Sequence, residues 1–293
     1  MAQRKASMKS HWMSLLMPLL PKHDVSHWFG RLVRTRLPGP LGPVSVQAFA
    51  RAYRIDLREA ELPLGSYKTI ADLFTRKLRP GARPIGDWPV HPCDATITEC
   101  GTVNQQEMIQ AKGMTYSLPE LLRSARHAST FEGGSYFTYY LCPTDYHRVH
   151  SPVDGRVTWS CHVPGELWPV NEWSVGEVQN LFSVNERVVM LIETPRGRAA
   201  VVMVAATNVG DIRIAFDENI VTTGLDVNER PVRERSYVPP KEVTAGAEIG
   251  VFHMGSTVIV LYEKGMVSPE ALQLKGERAK MGVSLAPGAS RGP

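Results

Sequence analysis

The sequence predicts an α+β protein, a helical front followed by a largely antiparallel β core. Three observations predict it: helix-start signals cluster before residue 131, a Pro/Gly cluster sets off a short basic front segment, and beyond Phe131 the apolar runs shrink to strand length between glycines and prolines.

Residues 10–37 carry Trp12, Leu15, Leu16, Leu19, Leu20, Trp28, Phe29, Leu32 and Val33 among Lys22, Arg31, Arg34 and Arg36. This pattern suits a pair of helices lying in a membrane interface, and equally a helical hairpin packed on its own domain. Pro38-Gly39-Pro40-Leu41-Gly42-Pro43 reads as a stiff linker. It divides a 1–43 front segment from a 44–293 core domain. Residues 44–53 are helix-like. Thr69-Ile70-Ala71-Asp72 has the form of a capping box ahead of Leu73 and Phe74, and the helix it opens should stop before Pro80. Ser117-Leu118-Pro119-Glu120 starts a third helix, with proline in the first turn. Strands are expected over 136–141, 155–162, 188–192, 199–205 and 212–215. Residues 248–252 then alternate small or polar with apolar, and from Val258 the chain is continuously β-branched or aromatic, so two strands meet at Met254-Gly255-Ser256-Thr257. Residues 282–293 read as a disordered tail.

The 43% hydrophobic and 21% charged residues describe a soluble globular chain, and no run approaches the roughly 20 apolar residues of a spanning helix. The formal charge is +4, with Arg4, Lys5, Lys9 and Lys22 at the front and no acid before Asp24, which suits an anionic surface. No stacking platform or recognised motif interleaves these cations, so nucleic acid is excluded as a partner. Cys93, Cys100, Cys142 and Cys161 show neither Cys-x-x-Cys nor zinc-type spacing and are expected as reduced thiols.

Chemistry is signalled in three places. A serine next to a glycine that tolerates unusual backbone angles, as at Gly255-Ser256, can attack the carbonyl just before it, although a strand bulge would leave the same trace. Asp145-Tyr146-His147-Arg148-Val149-His150 gathers two histidines, an arginine and a tyrosine between an apolar strand and a proline. A histidine with a carboxylate behind it and a serine in front is the general arrangement for activating a hydroxyl. Asp94, in His91-Pro92-Cys93-Asp94, offers that carboxylate or simply a turn residue. No acidic or cysteine partner stands at metal spacing to the histidines, so no metal is expected. A serine hydrolase is the competing reading, but the Gly-x-Ser-x-Gly elbow is missing and Ser256 leads into a strand.

These segments together resemble the pyruvoyl-dependent phosphatidylserine decarboxylases of bacterial type. The likeness rests on the run from Gly246 to Thr257, the 145–150 run, Gln110-Ala111-Lys112-Gly113, Val163-Pro164-Gly165 and Asn185-Glu186-Arg187, in family order between Tyr67 and Lys264. Met254 replaces the family's usual leucine, and Ala95 its usual glycine. The resemblance implies that the Ser256 hydroxyl attacks the Gly255 carbonyl, giving an ester. β-Elimination then frees 1–255 and leaves dehydroalanine at 256, which hydrolyses with loss of ammonia to an N-terminal pyruvoyl group on 256–293. It further implies His150 as the base, Asp94 as the carboxylate that orients it, and His147 as proton donor in decarboxylation. The pyruvoyl ketone would form a Schiff base with phosphatidylserine, release carbon dioxide and yield phosphatidylethanolamine. Tyr146 and Arg148 are candidate contacts to substrate phosphate or carboxylate. A homodimer, peripheral on the cytoplasmic face of a bacterial inner membrane and attached through the front segment, is likewise implied. A non-catalytic lipid-binding protein with a dead junction, or a pyruvoyl decarboxylase acting on a soluble amino acid, would share the same motifs.

Overall fold

The computed structural model describes residue 35 and residues 41–207, 211–222, 231–253 and 256–285. The front helices expected over 10–37, Met254 and Gly255 of the junction, and the tail beyond Leu285 lie outside the described residues; the first four residues of the expected tail are ordered instead, because Ser284 bridges Val90 and Leu285 is buried in the core.

Helix α1 spans Leu41–Ala52 and starts inside the expected linker, so the boundary drawn at 43/44 falls within it. Pro43 is no obstacle there, because the N–H groups of a first turn have no helical partner to lose. Helix α2 (Ile70–Phe74) carries both halves of the predicted capping box: Asp72 N–H donates to Thr69 Oγ1, and the Thr69 N–H to the Asp72 carboxylate, each at 3.0 Å. Strands β1 (Ala95–Thr102), β2 (Glu107–Ala111) and β3 (Met114–Ser117) follow, then α3 (Leu118–Leu122), capped by Ser117 as its sequence predicts, and α4 (Ala125–Thr130). Next come β4 (Ser135–Leu141), β5 (Arg148–His150), β6 (Gly155–Val163), α5 (Glu172–Glu177) and α6 (Leu181–Val184). The chain then runs through β7 (Arg187–Thr194), β8 (Gly197–Val204), β9 (Ile212–Ile214), β10 (Asp217–Val221), β11 (Arg233–Val243), β12 (Glu248–Phe252), β13 (Ser256–Tyr262) and β14 (Arg278–Ala279).

Eight strands form one antiparallel sheet in the order β11-β6-β7-β8-β13-β4-β1-β14, and four form a second in the order β10-β9-β12-β5. Strands β2 and β3 pair as a separate hairpin. The middle of the large sheet is buried on both faces. Along β13, Val258, Val260 and Tyr262 enter one apolar cluster while Ile259 and Leu261 enter another, and β7 and β8 divide their side chains in the same way. Burial on both faces explains why these strands read as continuous apolar runs rather than alternating ones. The α+β expectation holds, with the β content concentrated in these two sheets.

The two strands that flank the junction do not pair with each other. Strand β12 belongs to the small sheet and β13 to the large one, so the chain changes sheets between Phe252 and Ser256. Strand β13 lies instead between β4 and β8. Strand pairing thus joins residues 256–262 to two strands far upstream of the junction.

Candidate active site

Ser256 opens β13 in register with Leu141 of β4, and β8 ends too early to pair with it. Its side chain is fully buried, and its Oγ has no hydrogen-bond partner among the described residues. A buried hydroxyl without a partner costs about 1–3 kcal/mol, and the hydroxyls of Ser174, Ser183 and Ser268 are in the same position among the described residues. No group among the described residues competes for this oxygen.

Strand β5 lies antiparallel to β12, with His150 opposite Glu248 and Arg148 opposite Val251. The Phe252 N–H donates to the His147 carbonyl at 3.0 Å. His147 is thus at the junction end of this strand pair, and His150 is three residues, roughly 10 Å, further from it.

The two histidines have different surroundings. His147 is completely buried against the Phe74 ring, with centroids 3.8 Å apart. Its Nδ1 lies 2.9 Å from the Asp145 carbonyl, which can only accept, so Nδ1 carries the proton and Nε2 is bare. That Nε2 has no partner among the described residues. Burial pushes its pKa down to about 3, with the Asp145 carbonyl opposing and the Arg76 guanidinium adding to the fall. His150 donates Nδ1–H to the Gly246 carbonyl at 2.8 Å, and its Nε2 accepts from the Tyr146 hydroxyl at 3.0 Å. Burial lowers its pKa too, while the Gly246 carbonyl and the Glu248 and Asp94 charges oppose the fall.

Asp94 does not hydrogen-bond to His150. Its carboxylate is gripped by both terminal nitrogens of Arg83 at 2.7 Å and accepts the Met281 N–H at 2.8 Å. The loop that carries Asp94 does run beside His150, whose N–H donates to the Pro92 carbonyl. The carboxylate therefore reaches the ring as a charge rather than as a contact, because a bidentate guanidinium is the stronger claimant.

Arg148 is likewise committed elsewhere. It donates to both Glu248 oxygens at 2.6 and 2.8 Å and to the Thr75 carbonyl at 2.8 Å, satisfying an orphan carbonyl at the end of α2. Arg76 returns the tie by donating to the Thr144 and Asp145 carbonyls. These bonds fix the histidine loop, so Arg148 acts as a strut where a substrate contact was expected. Tyr146 is occupied with His150. Sequence reasoning gave no part to Arg83, Arg76 or Glu248, whose partners are set by tertiary structure, and no local pattern announces them.

A cavity of about 690 Å³ opens on the other face of the large sheet and reaches Thr257, next to Ser256. Ile97, Val170, Val175 and Phe182 line it, together with Gln110 and Lys112 of the motif noted in the sequence.

The sequence profile of the family described as phosphatidylserine decarboxylase matches residues 70–286. A phosphatidylserine decarboxylase proenzyme of Anaeromyxobacter sp. is 44% identical over 270 residues, covering 91% of this chain and 95% of the relative. Proenzymes of the same name from Myxococcus xanthus and Brevibacillus brevis are 41% and 36% identical, over 86% and 91% of this chain and 90% and 94% of their own. On these matches the chain belongs to the phosphatidylserine decarboxylase family.

Proposed function

We propose that this protein cuts itself between Gly255 and Ser256 and uses the resulting pyruvoyl group to convert phosphatidylserine to phosphatidylethanolamine. The observation that carries the reading is the buried, unpartnered Ser256 Oγ at the head of β13, where the chain passes from one sheet to the other. The proenzyme names of the relatives support the self-processing step. The pyruvoyl group supplies a ketone that captures a primary amine and draws off the electron pair left when the α-carboxylate departs as carbon dioxide.

The chain's own residues move the protons. For cutting, His150 is the base: the Gly246 carbonyl holds its Nδ1 proton, so Nε2 is the basic nitrogen once Tyr146 yields it to Ser256. Asp94, immobilised by Arg83, keeps a negative charge near that ring. In turnover, His147, whose buried Nε2 has no partner among the described residues, is the group placed to hand a proton to the carbon that carbon dioxide leaves. Attachment of the front segment to anionic lipid at the cytoplasmic face of a bacterial inner membrane, and a homodimer, complete the reading on the family resemblance.

The strand register favours a second assignment for the cutting step, since His147 and not His150 is at the junction end of β5. Paired variants decide. His150→Ala is expected to remain uncut, whereas His147→Ala is expected to cut normally and lose at least about a hundredfold in turnover of phosphatidylserine in mixed micelles. Normal cutting in His150→Ala with none in His147→Ala would transfer the base role to His147. Full lipid turnover in His147→Ala would remove it from the reaction.

A further inference from the structure

The β2–β3 hairpin turns at Lys112 and Gly113, both with positive φ (50° and 81°), the geometry of a tight two-residue turn. Its position over the cavity is fixed by the buried Gln110 side chain. Gln110 Nε2 donates to the Val175 and Val178 carbonyls at 2.8 and 2.7 Å, and its Oε1 accepts the Leu181 N–H at 2.9 Å. This clamps helix α5 and the segment after it onto the hairpin. Gly176 of α5 leaves room for the Lys112 chain, because a Cβ there would stand only 2.7 Å from Lys112 Nζ.

Among the described residues, three charged side chains line this cavity: Glu99, Lys112 and Lys275. Glu99 and Lys275 neutralise each other at 2.6 Å. Lys112 has no hydrogen-bond or ion-pair partner among the described residues, and it stands beside a mostly apolar cavity that reaches Thr257, the residue after Ser256.

Resting on the function proposed above, we infer that Lys112 binds the phosphodiester of the phosphatidylserine headgroup and is a specificity-determining residue of the substrate site. The substrate has two anionic groups, and the chemistry selects between them. A cation on the carboxylate would stabilise a charge that the reaction removes, and so would bind the ground state better than the transition state. A cation on the phosphodiester holds a group unchanged by the reaction, which is uniform binding and appears in KM. The apolar wall formed by Ile97, Val170, Val175 and Phe182 suits the lipid portion beyond the phosphate.

The test measures kcat and KM for phosphatidylserine in neutral detergent micelles, where attraction to an anionic surface is absent, for the wild type and for Lys112→Gln, Lys112→Glu and Lys112→Arg. Two fragments in each variant show that it folds and matures. Lys112→Gln should raise KM roughly tenfold with kcat within about twofold, the loss of one charge-assisted contact. Lys112→Glu should raise KM further, and Lys112→Arg should restore most of the affinity. Unchanged KM in the glutamine and glutamate variants, with an active wild type, overturns the inference alone. A rise in kcat on removing the charge would put Lys112 on the carboxylate and also overturns it. A matured wild type inert toward phosphatidylserine overturns the parent function, and this inference with it.

Discussion

At the residue scale, the site is an arrangement of neutral histidines. Burial holds His147 down to about 3 and His91 down to about 4, and lowers His150 as well. The fold therefore keeps these imidazoles unprotonated while the unfolded chain takes up protons below about 6.5. Between there and about pH 3 the unfolded state binds more protons, so stability is complete above about 6.5 and falls as pH falls through that window. Carboxylates titrate mostly lower, near 4, which leaves the range from about 6.5 to 5 to the histidines. The melting temperature should be flat above pH 7 and decline from about pH 6. His147→Gln should shallow that decline, and an unchanged acid slope in this variant would contradict the burial argument. Some of this site is legible in the sequence, since Ser256, His147 and His150 lie in dense motifs. The commitments of Asp94 to Arg83 and of Arg148 to Glu248 are not, because each depends on which loops the fold brings together.

At the element scale, β13 is held in the fold independently of the peptide bond before Ser256, so the proposed cleavage would leave the two pieces joined. Val258, Ile259, Val260 and Leu261 are each completely buried, and each buried aliphatic side chain contributes about 1.5–3 kcal/mol. Pairing with β4 on one side and β8 on the other adds two hydrogen-bonded ladders. Opening one peptide bond upstream of Ser256 removes none of this. Downstream, Lys280 bonds Glu59, Met281 N–H bonds Asp94, and Arg278 bonds Asp145, so the small piece is also held by ion pairs to the large one. Asp94 thus fastens the C-terminal segment while supplying charge near His150. Elements with strong local signals were legible: the Thr69 capping box, the Ser117 cap and the apolar strands. Strand β11 was not, because its charged residues and Pro239-Pro240 read as a breaker, whereas an edge strand tolerates proline. The β2–β3 hairpin escaped because Lys112-Gly113 is not among the strong turn pairs.

At the scale of the whole molecule, β12 and β13 belong to different sheets, and the proposed cleavage site lies in the chain between them. Sequence periodicity revealed the strands on either side of it, but not that they belong to different sheets, since sheet order is set by pairings between residues far apart in the chain. The family match begins at residue 70 and covers every sheet strand, which leaves the basic, tryptophan- and leucine-rich front segment outside it. No described helix is long and apolar enough to cross a membrane. Arg31, Arg34 and Arg36 at roughly 1 kcal/mol each near an anionic surface amount to about a hundredfold in partitioning. Protein lacking residues 1–37 is therefore expected to mature normally but to co-sediment far less with anionic vesicles. Equal co-sedimentation would place membrane attachment elsewhere on the molecule.

The account stands most directly on the mass of freshly purified wild-type protein under denaturing conditions. It predicts two species, residues 1–255 and 256–293, the smaller one short of its sequence mass by one ammonia and reactive toward a hydrazine, from a sample that runs as a single particle when native. A single unbroken chain of 293 residues that takes up no hydrazine would contradict it.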